Sequence, residues 1–229
     1  AEVSPEFAVA AASVPLLVLA FTAALLWLLP CGLGLRPWAC LVLAGFVFYR
    51  PDRLDDGLTR ITVMDAGQGL SVLVQTRNRN LLFDTGTAQA AQTGIVPSLN
   101  AIGVRRLDKL ILSHHDSDHD GGLDAVSDIE IGETLAGQPE FYPNAKFCAE
   151  AQWQWDGVDF ELLRSSENPV GEDNDRSCVL RVVSDGQALL VTGDLGVKGE
   201  AGLVERYGSS LYSQVLILGH HGSNTASSG

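Results

Sequence analysis

Residues 113–122 read Ser-His-His-Asp-Ser-Asp-His-Asp-Gly-Gly and follow an apolar run, residues 107–112, with the composition of a buried strand. His114, Asp116, Asp118 and His119 crowd two imidazoles and two carboxylates into one loop. Such crowding is costly unless something positive holds the groups together, and a pair of divalent ions is the natural candidate. Three more apolar runs end the same way. Leu81-Leu82-Phe83 runs into Asp84-Thr85-Gly86, residues 189–192 into Gly193-Asp194, and residues 215–218 into Gly219-His220-His221-Gly222-Ser223. Taken singly, an Asp after a strand is a turn former or a cap. Four such ends in one chain call for a fold that gathers strand ends at one edge.

The rest of the polar region has the punctuation of such a fold. Residues 61–64 and 70–76 are β-branched and apolar, and residues 80–84 close a hairpin after Arg77-Asn78-Arg79. Residues 93–103 carry Ile95, Val96, Leu99 and Ile102 at helical spacing, with Gly103 as C-cap. A short helix over 120–127 would start directly behind the histidine loop and turn its positive dipole end toward it. Residues 129–135 read as a strand, and 153–163 as a hairpin turning at Asp156-Gly157. Residues 177–184 and 187–192 form a hairpin turning at Asp185-Gly186. A helix over 197–207 and a strand over 214–218 follow. Hairpins separated by single helices, twice over, predict an α/β fold of two sheets faced with helices. Trp153 and Trp155 alternate on one strand, suited either to core packing or to stacking a base.

The first fifty residues are of another kind. Residues 7–35 carry no charge, and 8–29 are long enough to cross a bilayer, with Pro15 expected to kink the helix. A second apolar stretch, 38–49, is either a thin span or a re-entrant piece. Glu2 and Glu6 stand where a signal peptide needs Lys or Arg. The chain begins without Met and ends abruptly at Gly229, as expected of a fragment of a longer protein. Residues 1–50 are therefore read as a membrane segment, the tail of a larger membrane domain, 51–59 as a linker, and 60–229 as the polar domain. Arg36, Arg50 and Arg53 do not decide the orientation. Cys148 and Cys178 in the polar domain are either a disulfide, which would suit an extracytoplasmic location, or two buried thiols. A net charge of −13 excludes simple polyanion binding through a basic surface, so a phosphate-bearing substrate would have to be held by metal and local cations.

The set of motifs resembles the metallo-β-lactamase superfamily and, more narrowly, the C-terminal domain of the ComEC family of inner-membrane DNA-uptake proteins. The residues carrying the resemblance are Met64 to Gly69, Phe83 to Gly86, Ser113 to Gly122, Asp173 to Leu180, Leu190 to Asp194 and His220 to Ser223. It implies an αββα sandwich, C-terminally incomplete and preceded by one or two transmembrane helices. Carried over, His114, Asp118 and His119 take signature positions, Asp116 stands at the second histidine, Asp194 at the bridging Asp, and His220 or His221 at the last histidine. No histidine lies between His119 and His220, so the superfamily's middle histidine has no counterpart, and Asp173, Asn174, Asp175 or Ser177 occupies its region. The metal set is thus His114, Asp116, Asp118, His119, Asp194 and His220, for two divalent ions with Mn²⁺ or Mg²⁺ favoured over Zn²⁺.

Asp118 is expected to orient or deprotonate water, and whichever of His220 and His221 is not a ligand to serve as acid or phosphate contact. Asp65, Asp84, Asn174, Ser177 and Ser223 are supporting residues. The implied function is a metal-dependent nuclease that degrades the non-transported strand during natural transformation. It would sit in a multi-pass bacterial inner-membrane protein, with the domain extracytoplasmic and with single-stranded DNA and other competence-machinery proteins as partners. The alternative is a catalytically degenerate DNA-binding or gating domain of the same transporter.

Overall fold

A computed structural model describes residues 14–29, 34–47, 53–166 and 173–217. They fall into two compact units, one drawn from Ala1–Asp52 with Leu99–Val104, the other from Arg53–Ser98 and Arg105–Gly229.

In the first unit, α1 (Val14–Trp27) and α2 (Arg36–Val47) pack on each other. Ala23 and Ala39 are its buried small residues, while Phe21, Trp38 and Leu41 are exposed. Pro15 lies in the first described turn of α1, and the residues before Val14, on which the expected kink depends, lie outside the described set. The described parts of the helices, 14 and 12 residues, rise about 21 and 18 Å, against a hydrocarbon layer of roughly 30 Å. Among the described residues no helix is long and apolar enough to cross a membrane. Of the stretch 8–29 expected to cross, a helix is described from Val14 and is not of crossing length, and residues 8–13 lie outside the described set.

The second unit opens with the antiparallel strands β1 (Arg60–Val63), β2 (Val72–Gln75) and β3 (Asn80–Phe83). A helical stretch follows: α3 (Ala88–Ala90), a π-helical turn (Ala91–Ile95) and α4 (Val96–Ala101), which from Leu99 on is grouped with the first unit. It starts earlier than its apolar spacing suggests, because the Thr87 hydroxyl accepts from Ala90 N at 3.1 Å and caps it. Then come β4 (Arg106–Leu107), β5 (Lys109–Leu112), β6 (Glu130–Ile131), β7 (Thr134–Ala136) and β8 (Lys146–Phe147). The first sheet has the order β1-β2-β3-β5-β7-β8, parallel from β3 onward. The single strand expected over 129–135 is split, since β6 pairs with β4 and β7 with β5.

The second sheet contains β9 (Ala151–Trp155), β10 (Val158–Leu163), β11 (Val179–Ser184), β12 (Gln187–Val191) and β13 (Val215–Ile217), with α5 (Val197–Tyr207) between the last two. Its order is β13-β12-β11-β10-β9, a meander closed by one parallel pair. Asp185 and Gly186 both have positive φ, the conformation that a two-residue hairpin turn demands.

Alternate residues of the strands build the core. Val72, Val74, Leu81, Phe83 and Ile111 of the first sheet meet Phe160, Leu162, Leu180, Val182, Leu189 and Val191 of the second. On the other face of the second sheet, Val179 and Leu190 pack with Leu195 and with Leu203 of α5. The expected helix over 120–127 is not formed. Residues 116–129 make a chain of tight turns, because Gly122 donates its N–H to Gly86 O and packs so closely that a Cβ would stand 2.3 Å from Thr85 O. Without a helix there, the segment presents no helix N-terminus to the histidine loop.

Cys148 and Cys178 form a disulfide with Cα atoms 6.0 Å apart, joining the region after β8 to the start of β11 and so the two sheets. The bridge spans 30 residues, for which loop-closure entropy gives about 3–4 kcal/mol. Cys148→Ala with Cys178→Ala should lose about that much in chemical denaturation relative to the oxidised protein, with an unchanged far-ultraviolet circular dichroism spectrum.

Candidate metal centre

The centre is assembled around Asp84, the first residue after β3. Its φ of 58° places a non-glycine residue in the left-handed region, and its side chain is fully buried. Oδ1 accepts from Ser113 N at 2.6 Å, and Oδ2 accepts from Ser113 Oγ and from His119 Nδ1, each at 2.7 Å. Charge-assisted bonds of this kind contribute about 1.5–3 kcal/mol each, enough to offset the roughly 1 kcal/mol that an Asp in that conformation costs. Because β3 and β5 are parallel neighbours, their ends bring Asp84 and Ser113 together.

His114, His119 and Asp194 are buried, and their ligating atoms lie within 4.8 Å of one another. The hydrogen-bond network assigns the tautomers. Ser113 Oγ gives its proton to Asp84, so His114 Nδ1–H donates to Ser113 Oγ at 3.0 Å and leaves Nε2 with a lone pair. That Nε2 is buried with no hydrogen-bond partner among the described residues. His119 turns Nδ1 to Asp84 and Nε2 to Asp194 Oδ1 at 3.2 Å. A hydrogen bond behind one ring nitrogen, from His114 to Ser113 and from His119 to Asp84, with the other nitrogen turned toward the cluster, is the usual setting of a metal-binding histidine. The donor set of two imidazoles and one carboxylate fits a divalent ion.

Burial, helped by the neighbouring His119, pushes the His114 imidazole below its ordinary value and keeps it neutral. Burial also opposes charge on His119, but hydrogen bonds to Asp194 and Asp84 and their negative charge overcome it and raise that ring to about 10. At neutral pH the metal-free protein therefore holds a proton on His119 that a metal at Nε2 must displace. Binding should release about one proton, and affinity should rise with pH until pH approaches 10. Calorimetric titration with Mn²⁺ or Zn²⁺ in buffers of unlike ionisation enthalpy measures this, and pH-independent affinity would contradict it. Asp84→Asn should weaken metal binding by about 10–100-fold in the same titration.

The structure does not bring every candidate into this group. Asp116 is exposed, and its Oδ1 caps Ser117 N at 2.7 Å. Asp118 is half-buried and touches the 64–70 loop through its carbonyl, which accepts from Leu70 N at 3.2 Å. Neither belongs to the three-residue cluster. Asp65 is exposed and caps Gly67 N at 3.1 Å within its own turn. Asn174 lies half-buried in the turn Asp173–Arg176. Ser177 is buried, its Oγ without a hydrogen-bond partner among the described residues. This segment reaches the centre through the backbone, where Cys178 N donates to Ser113 O at 3.0 Å. His220, His221 and Ser223 lie outside the described residues.

A second constellation was not anticipated. Tyr142 OH donates to Asp120 Oδ2 at 2.6 Å, and His115 Nδ1 bonds the same oxygen. His115 stacks on Phe141 at 4.1 Å, and its backbone N donates to Gln138 Oε1 at 2.7 Å. Burial and the Asp120 hydrogen bond push the Tyr142 hydroxyl upward, so it stays protonated as the donor. His115 and Asp120 stand in the histidine run itself, but Gln138, Phe141 and Tyr142 carry no local signal.

The sequence model of the metallo-β-lactamase superfamily matches residues 64–228. The chain belongs to the metallo-β-lactamase superfamily. Competence protein ComA of Neisseria gonorrhoeae is 72% identical over 229 residues, all of this chain and 33% of that protein. Recombination protein 2 of Haemophilus influenzae is 34% identical over 179 residues, 74% of this chain and 22% of that protein. The chain thus spans a third or less of these curated relatives. A B3 metallo-β-lactamase with an active-site glutamic acid superposes with a TM-score of 0.52 at 16% identity, covering 70% of this chain and 76% of that one. At that identity the likeness shows the fold alone.

Proposed function

We propose that this chain is part of an inner-membrane DNA-uptake protein of the ComEC family and that its metallo-β-lactamase domain is a metal-dependent phosphodiesterase. In this reading it is a nuclease that degrades the non-transported strand during natural transformation. The observation that carries the reading is the buried His114–His119–Asp194 cluster, buttressed by Asp84, in a chain similar along its whole length to a competence protein.

His114, His119 and Asp194 would hold one divalent ion, with Asp116, Asp118 and His220 completing a pair, and Mn²⁺ or Mg²⁺ is favoured because the middle histidine is missing. Such ions supply electrophilic polarisation of a phosphodiester. The chain's own groups would do the rest. Asp118, at the loop tip, orients and deprotonates the attacking water, and the one of His220 and His221 not used as ligand protonates the leaving oxygen. Asp84 keeps the His119 ring in register, Asn174 and Ser177 line the place of the absent histidine, and Ser223 contacts phosphate. Asp65 holds the 64–69 loop in its turn.

Residues 1–50 are proposed as membrane segment, 51–59 as linker and 60–229 as the hydrolase-fold domain. The outward-facing apolar residues of α1 and α2 support membrane attachment, and the disulfide supports an extracytoplasmic domain. Single-stranded DNA and other competence proteins are the proposed partners.

A degenerate DNA-binding or gating domain is the second reading, favoured by one observation: of the five proposed ligands that lie among the described residues, three come together. Incubating the protein with single-stranded DNA and Mn²⁺, Mg²⁺ or Zn²⁺ separates the two. Cleavage is expected, falling more than about 100-fold in His119→Ala and Asp194→Ala. DNA binding without cleavage in any metal would leave the second reading.

A further inference from the structure

Lys109 begins β5, the strand whose other end delivers His114. At this far end Arg79, Arg106 and Lys109 line an open groove of about 440 Å³ together with Gln152, Trp153 and Trp155. Cavities of this size suit a nucleotide-sized ligand. The indoles are held in place by the core, Trp153 lying parallel to Phe160 at 5.3 Å and Trp155 inclined to it at 5.1 Å. Lys109 Nζ stands 5.1 Å from the centre of the Trp153 ring and 6.0 Å from that of Trp155. Trp153 Nε1 is a buried donor with no hydrogen-bond partner among the described residues.

The charges have a definite arrangement. Arg79 and Arg106 share the single carboxylate of Asp108, at 2.6 and 3.5 Å, and Lys109 and Lys146 share that of Glu133. Glu130 adds a third carboxylate, on Arg106. Four cations are thus paired with three carboxylates, with the charge of Asp156 also acting on Arg79, in a protein whose net charge is −13. Asp108 is nearly buried, while both guanidinium groups are about half exposed, 50% and 47%. Each guanidinium has five N–H donors and spends only some of them on its carboxylates, so the remainder are held in a fixed orientation at the groove.

We propose that this groove is a second, non-catalytic site that binds a nucleotide unit of single-stranded DNA. The phosphate is held by Arg79, Arg106 and Lys109, and the base lies against the Trp153–Trp155 indoles. Cations beside aromatic faces are the common way to hold single strands without reading sequence. The ligand's identity rests on the nuclease reading above. The groove's location, at the opposite end of β5 from the metal centre, makes it a holding site for the strand rather than part of the hydrolytic site.

Tryptophan fluorescence of the whole protein in EDTA tests this, titrated with oligodeoxythymidylate and separately with thymidine monophosphate. Saturable quenching by the oligomer is expected, with a Kd raised about tenfold in Arg79→Gln/Lys109→Gln and a salt slope smaller by about 1.4, for two lost phosphate contacts. Lys109→Arg, which keeps the charge, should keep the affinity. With metal present the double variant should raise KM for long single strands, leaving kcat and the hydrolysis of bis(p-nitrophenyl) phosphate unchanged. Equal affinity and salt slope in the double variant would overturn the proposal. So would a tenfold loss in Lys109→Arg, or quenching by the mononucleotide but not the oligomer. A protein that binds through the groove yet never cleaves overturns the nuclease reading alone, and one that cleaves with unchanged KM in the double variant overturns the groove alone.

Discussion

The Asp84 carboxylate is the interaction on which the rest of the centre depends. It is fully buried, and it accepts hydrogen bonds from a backbone amide, a hydroxyl and an imidazole, all presented by the loop after β5. A buried carboxylate without such partners would cost several kcal/mol. The loop that carries His114 and His119 is therefore tied to β3 by the need to satisfy that charge. The bond to His119 Nδ1 also fixes the ring so that Nε2 meets Asp194. One carboxylate thus sets the loop position, the tautomer and the basicity of a ligand.

Around that hub the scaffold is stiff where the site requires it. The Cys148–Cys178 bridge joins the two sheets close to the segment that bonds Ser113 O. The turns from residue 116 to 129 are locked by the Gly122 approach to Thr85. Rigid placement matters because an imidazole displaced by an ångström no longer shares a metal with its neighbours. The polar set of His115, Asp120 and Tyr142 braces the same loop from its other side.

Under the proposed nuclease reading, an acidic chain has to meet a polyanion through local charge. Several carboxylates are concentrated at the strand ends, where divalent ions would neutralise them. Four cations, two of them on Asp108 and two on Glu133, are gathered at the opposite end of β5. Net charge of the whole molecule is a weak guide when opposite charges are segregated over distances longer than a Debye length of about 8 Å.

Much of the second unit was legible in order along the chain, because strand alternation, the Asp185-Gly186 turn and the helix over 197–207 are local signals. The histidine run, Asp84 and Asp194 stood out for the same reason, each being a ligand-type residue at the end of an apolar strand. Local pattern failed where packing overrode it. The segment 120–127, expected as a short helix, is bent into turns by close backbone approach at Gly122, and the strand over 129–135 is divided between two partners.

By itself the sequence determined which residues could be ligands and which strands carry them, since composition and period are written in neighbouring positions. Only the tertiary structure decided that Asp84 braces His119, that Asp116 faces solvent and that Cys148 meets Cys178. It also brought Lys109 beside two tryptophans more than forty residues away. Those outcomes depend on which strands become neighbours, and pairing between distant segments leaves no local trace.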